Sequence, residues 1–137
     1  MRRLLFGLLL ATTACNLQFG TPTPYPTPDL PTIEIQAPVN NDRFDEQTDI
    51  AIALLARDSG IGIARVELLV DDVPHSEARP EVSAAVPVFT VVMNWVAEGP
   101  GYHSLTAIAY RPDGTPSDPQ IISILITEPE TETPEDA

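Results

Sequence analysis

Gly60-Ile-Gly-Ile-Ala-Arg-Val-Glu-Leu-Leu-Val-Asp-Asp72 alternates apolar and polar residues with a period of two. Ala64, Val66, Leu68 and Val70 share one side of that alternation, glycines lead into it and an acidic pair leads out, which is how a half-buried strand reads. The same period recurs on both sides. Upstream, Ile33 and Ile35 form a first strand ending at Pro38, and Ile50, Ile52, Leu54 and Ala56 a second, closed by Arg57-Asp58-Ser59-Gly60. Downstream come Phe89, Val91, Met93 and Trp95, then His103, Leu105, Ala107 and Ala109, then Ile122, Ile124 and Ile126. Asn40-Asn41-Asp42, Glu98-Gly99-Pro100-Gly101 and Asp113-Gly114 supply turns. Residues 73–87 contain Pro74, Pro80 and Pro87 and are expected to form a loop with a short edge strand near Val82. No segment carries a helical period. About seven short strands predict an all-β sandwich of two sheets with Greek-key connections over residues 32–127.

The charge balance excludes several function classes. The net charge is −13 and there is no lysine. Within residues 32–127, fourteen carboxylates stand against five arginines, a net of −9. Such a surface repels phosphate backbones, so no nucleic-acid partner is expected. Without lysine no Schiff-base chemistry is available, and the sequence shows no nucleophile elbow, phosphate-cradling glycine loop or paired-histidine zinc motif. No cofactor is expected and the chain is not read as an enzyme. Cys15 is the only cysteine, so no intramolecular disulfide forms and the core must hold the domain.

The two ends differ from the middle. Met1–Ala14 runs from Arg2 and Arg3 through the apolar Leu4–Leu10 to small residues, the order of an export signal, and its apolar run is shorter than the ~20 residues that cross a bilayer. Thr13-Ala14-Cys15 resembles the cleavage site of bacterial lipoproteins, with Thr12 where that family usually has an aliphatic residue. The resemblance implies removal of residues 1–14 and acylation of Cys15, and hence an exported chain anchored by lipid to the outer surface of a bacterial membrane. Residues 15–31 follow as a Thr/Pro-rich spacer, with five prolines in Thr21–Pro31 that favour an extended, stiff conformation. Residues 128–137 hold five carboxylates and two prolines and read as an acidic disordered tail.

Asp58-Ser59-Gly60-Ile61 leading into Val66-Glu67-Leu68-Leu69-Val70-Asp71, then Trp95, then Gly101–Tyr110 with Asp113-Gly114, resemble a bacterial immunoglobulin-like domain of surface lipoproteins. The resemblance implies the immunoglobulin-like sandwich and a role as spacer or binding module, without an active site. Asp72 stands where such domains often have a turn glycine, and His103 where they often place a corner tyrosine.

Three groups of residues are candidates for function. Leu69, Ile108, Tyr110, Ile121 and Leu125 point outward from strands that are neighbours in the immunoglobulin architecture, and are the candidates for one apolar face for a protein partner or for self-association, set against scattered surface aliphatics as the simpler reading. Asp71, Asp72 and Asp113 are the candidates for calcium, set against solvated acidic turns as the simpler reading. His75 and His103 lack the companions of a catalytic or zinc site, and His103 is expected to bond a loop carbonyl. Trp95 and Phe89 share the phase of Val91 and Met93, favouring core packing over a sugar platform. The expected function is a non-catalytic, membrane-anchored module that binds a protein partner or serves as a structural unit at the cell surface, with a calcium- or glycan-binding adhesion domain as the alternative.

Overall fold

The computed structural model describes residues 20–24 and 29–131, so Cys15, the expected leader at residues 1–14 and most of residues 128–137 lie outside the described residues. Eight strands and no helix occur among the described residues: β1 (Thr32–Ala37), β2 (Arg43–Asp45), β3 (Asp49–Arg57), β4 (Arg65–Val70), β5 (Val73–Ala78), β6 (Val88–Val96), β7 (Gly101–Tyr110) and β8 (Gln120–Thr127). They form two sheets, β1-β3-β6 and β2-β8-β7-β4-β5.

The period-two pattern explains the core. Ile50, Ile52, Leu54 and Ala56 of β3 face Val66 and Leu68 of β4, Leu105, Ala107 and Ala109 of β7, and Ile122, Ile124 and Ile126 of β8, all buried in one cluster. Trp95 and Met93 of β6 close it. Each fully buried aliphatic side chain contributes about 1.5–3 kcal/mol, and an interior of this kind holds the sheets together without a disulfide.

Two strands depart from the sequence expectation. β5 occupies the first part of the 73–87 segment, because Asp71 and Asp72, at φ 51° and 64°, make a two-residue turn that returns the chain directly beside β4. Both central residues in the left-handed region define a type I′ turn, whose twist matches a hairpin. Pro74 is accommodated because β5 is an edge strand. Val82, where a short strand was expected, is 90% exposed and lies in a bend. The three-residue β2 has too few residues to show a period. It pairs in parallel with β8, Phe44 beside Ile126, and gives the sandwich its eighth strand.

The strand directions separate two poles. The chain enters at Pro31 beside the β3–β4, β5–β6 and β7–β8 connections, and leaves at Thr127 beside the β4–β5 turn and the β6–β7 connection.

Candidate functional site

The outer face of the five-stranded sheet collects the residues expected to form a partner surface. Register places Leu69 beside Thr106 and Thr106 beside Ile121, in a row across β4, β7 and β8. The next row holds Glu67 and Ile108, and the one after it Arg65 and Tyr110. Ile121 is 60% exposed, while Leu69 and Ile108 are half-buried. Thr106 is buried although it faces outward, and its Oγ1 has no hydrogen-bond partner among the described residues.

The expected single apolar face is divided. Tyr110 is covered: Arg65 lies 3.5 Å over its ring, and its hydroxyl donates to Glu67 at 3.2 Å. Burial and the Glu67 carboxylate push the Tyr110 hydroxyl above its usual range, leaving it a neutral donor. Arg65 also reaches Glu77, so this margin of the face is a charged network. Leu125 pairs with Tyr102, separated from the Ile121 row by Ser104 and Ser123. Tyr102, 70% exposed, is a surface residue the sequence reading passed over. The period of β7 carried the signal, since residue 102 has the phase of Ile108 and Tyr110.

At the chain-exit pole, His103 sits between two acceptors. Its Nδ1 lies 2.6 Å from Asp71 Oδ2 and its Nε2 2.6 Å from the Gly99 carbonyl, as expected of a ring bonding a loop. Asp71 Oδ1 accepts from the Ser104 amide at 3.0 Å, and Glu46 accepts from the Gly99 amide at 3.1 Å. His103 also packs against Trp95, centroids 5.3 Å apart. Two acceptors around one ring suit the imidazolium, which donates from both nitrogens. Burial lowers the His103 pKa, but Asp71 and the Gly99 carbonyl outweigh it and hold the ring above its ordinary value. His103 thus ties the start of β7 to a carbonyl four residues upstream, the task of a corner tyrosine.

At the chain-entry pole, Arg111 grips the fully buried Asp58 carboxylate with two bonds, Nε to Oδ2 at 3.0 Å and Nη2 to Oδ1 at 2.7 Å. Asp58 Oδ2 also accepts from the Gly62 amide at 2.8 Å. The Arg111 bonds hold the Asp58 carboxyl below its usual range against the opposing effect of burial. Gly62 has φ 94° and a Cβ there would lie 3.1 Å from the Val86 carbonyl oxygen, so both conformation and space require glycine. Arg111 also donates to the Asp29 carbonyl and Ser59 to the Asp29 carboxylate, fastening the residues just before β1 to this pole.

The calcium candidates do not converge. Asp71 and Asp72 lie at the exit pole and Asp113 beyond the far end of β7. Five residues from Leu105 to Tyr110 correspond to about 17 Å of strand. Both Asp71 oxygens are engaged as described, and Asp113 Oδ1 accepts from the Thr115 amide at 2.9 Å. The bonds from Thr115 hold the Asp113 carboxyl below its usual range. No group of three or more His, Cys, Asp or Glu side chains able to hold a metal occurs among the described residues.

A family model for the bacterial Ig domain matches residues 31–107, more than half of the chain. The chain belongs to the bacterial Ig domain family. Among solved structures, the fibronectin(III)-like modules of Clostridium thermocellum CbhA match this Ig domain with a TM-score of 0.61 at 28% identity, covering 72% of this chain and 47% of theirs. The chain therefore spans about half the length of that structure. The CARDB domain of a Pyrococcus furiosus protein matches with a TM-score of 0.53 at 12% identity, over 72% of this chain and 97% of that one. An endo-beta-1,4-mannanase from Thermotoga petrophila matches with a TM-score of 0.51 at 10% identity, over 72% of this chain and 20% of its own length. The last two likenesses concern the sandwich fold alone. No curated protein matches the sequence. Membership accounts for the sandwich of this Ig domain and assigns it no ligand.

Proposed function

We propose that this chain is an exported lipoprotein, held by acyl chains on Cys15 at the outer surface of a bacterial membrane. Its Ig domain acts there as a non-catalytic module that binds a protein partner through the outer face of the five-stranded sheet. The observation that carries the reading is the Leu69–Thr106–Ile121 row with Ile108 beside it, an uncharged strip opening onto solvent at Ile121. In a domain of net −9 an uncharged strip is where a partner meets least electrostatic cost. Surrounding carboxylates steer a basic partner toward the domain, an effect that weakens with salt. The fastening of Asp29 to Arg111 and Ser59 supports a spacer that presents the domain in a set direction.

Photo-crosslinking in cells tests the reading. A photoreactive side chain at Ile121 should give a discrete heterologous product, while one at Val39, equally exposed in the β1–β2 connection, should give none. No product at Ile121, or the same product from both sites, removes the partner face.

A further inference from the structure

The four edge strands of the two described sheets are not protected alike. β1 carries Glu34 and a break in register between Ile35 and Ala37, with Pro38 just beyond. β2 has three residues, two of them charged. β5 carries Pro74, His75 and Glu77, with a register break opposite Leu68 and Leu69. Short length, proline, charge and bulges are the devices that keep sheet edges from pairing with other chains. β6 has none of them within its span, although Pro87 stands just before it. Its sequence, Val-Phe-Thr-Val-Val-Met-Asn-Trp-Val, is nine residues without charge, proline or glycine, pairs with β3 in unbroken register, and ends the three-stranded sheet.

The free groups of that edge can be assigned. The Asp58 amide donates to the Pro87 carbonyl, and Ala97 exchanges bonds with Gln47 and Thr48, so odd-numbered residues turn their backbone groups toward β3. Val88, Thr90, Val92, Asn94 and Val96 therefore turn theirs outward. Across the gap from β5, His75 Nε2 meets the Asn94 carbonyl at 3.0 Å, which leaves that oxygen a second lone pair. The same even-numbered positions present side chains to solvent, with Val88 53%, Val92 56% and Val96 45% exposed. A groove of about 560 Å³ separates Val88–Val91 from the Arg79–Val82 segment, and a pairing strand would enter along it.

We propose that β6 pairs with β6 of a second copy, antiparallel about a twofold axis at Val92, joining two three-stranded sheets into one of six strands. The strand complements itself: centred on Val92, the pairing sets Val92 opposite Val92, Thr90 opposite Asn94 and Val88 opposite Val96, so every outward group meets another and three valine pairs alternate with two Thr–Asn pairs. Charge is compatible with the same register, although at three strand spacings, about 14 Å, it is too far off to select it. β3 places Arg57 beside Val88 and Asp49 beside Val96, so the Arg57 of each copy falls on the row of the other's Asp49, twice by symmetry. Elsewhere the copies, at −9 each, repel. One strand pair is a small contact compared with the roughly 1,200–2,000 Å² of a stable interface, so the dimer is weak and dissociates on dilution. This edge lies on the sheet opposite the partner face, and the pairing requires neither that face nor the anchor.

Single-cysteine cross-linking tests it on the full chain carrying Cys15→Ser. Paired residues that exchange hydrogen bonds have Cα atoms about 5.5 Å apart, within disulfide reach. Two copies of residue 88 would stand about 27 Å apart in this register. Mild oxidation should therefore give a covalent dimer with Val92→Cys and about tenfold less with Val88→Cys. In sedimentation velocity the Cys15→Ser chain should shift from monomer to dimer with rising concentration, and Val92→Lys should stay monomeric at an unchanged melting temperature. Equal cross-linking at both positions, no cross-link at Val92, or a dimer that survives Val92→Lys overturns the proposal.

Discussion

Thr106 and His103 show how single side chains set local energetics in this domain. The Thr106 hydroxyl is buried beneath the outer face without a partner, so it bears a desolvation cost that no bond offsets. Thr106→Val should raise stability by about 1 kcal/mol, seen as a melting temperature several degrees higher. His103 has the opposite character, with an acceptor at each nitrogen. Its folded pKa lies above the ordinary value of 6.5, so its contribution is complete below that pH and is lost as pH rises through the folded pKa. Melting temperature should accordingly fall as pH rises above 6.5 and through the folded pKa. His103→Tyr, which keeps a corner hydroxyl but does not titrate there, should flatten that decline; an unchanged slope would assign the titration to another group. The sequence pointed to His103 as a ring bonding a loop carbonyl, but the Asp71 contact joins residues 32 positions apart and appears only once β4 and β7 are paired.

Among elements, the connection between β3 and β4 is held by a pair that local sequence does not announce. Asp58-Ser59-Gly60 reads as a turn, whereas its cation, Arg111, comes from beyond β7. Removing one partner of a buried ion pair leaves an uncompensated charge and costs roughly 3–5 kcal/mol, while removing both costs less. Arg111→Met should therefore lower the midpoint of chemical denaturation, because it strands the Asp58 carboxylate, and Asp58→Asn with Arg111→Met should recover part of the loss. The loop root at Asp29 should loosen in the same variant, because Arg111 also holds its carbonyl. Strands β3, β4, β6, β7 and β8 were legible because one face of each is buried, which imposes the alternation. β5 was not, because an edge strand with Val73, Pro74 and His75 exposed has no buried face to pattern, and β2 was too short to show a period.

For the whole molecule, the organisation proposed is anchor, spacer, sandwich and tail. Intact-mass measurement of the membrane-extracted protein should give a chain beginning at Cys15 with added acyl mass; an unmodified thiol there, or a retained Met1, would remove the anchor from the reading. The all-β class, most of the core and the acidic balance followed from the sequence alone, since burial on one face writes period two and composition sets net charge; Ile63, buried out of phase with Val66, and Ala97 did not. Outward residues were legible one strand at a time, but not their grouping. Sheet register set Leu69, Thr106 and Ile121 in one row, put serines between Ile121 and Leu125, and covered Tyr110 with Arg65. The open edge of β6 was likewise invisible in its residues, because whether a strand ends a sheet depends on which neighbours it has. Alternation is a property of a strand against its own core and can be read along the chain; adjacency between distant strands belongs to the pairing, and only the folded structure decides it.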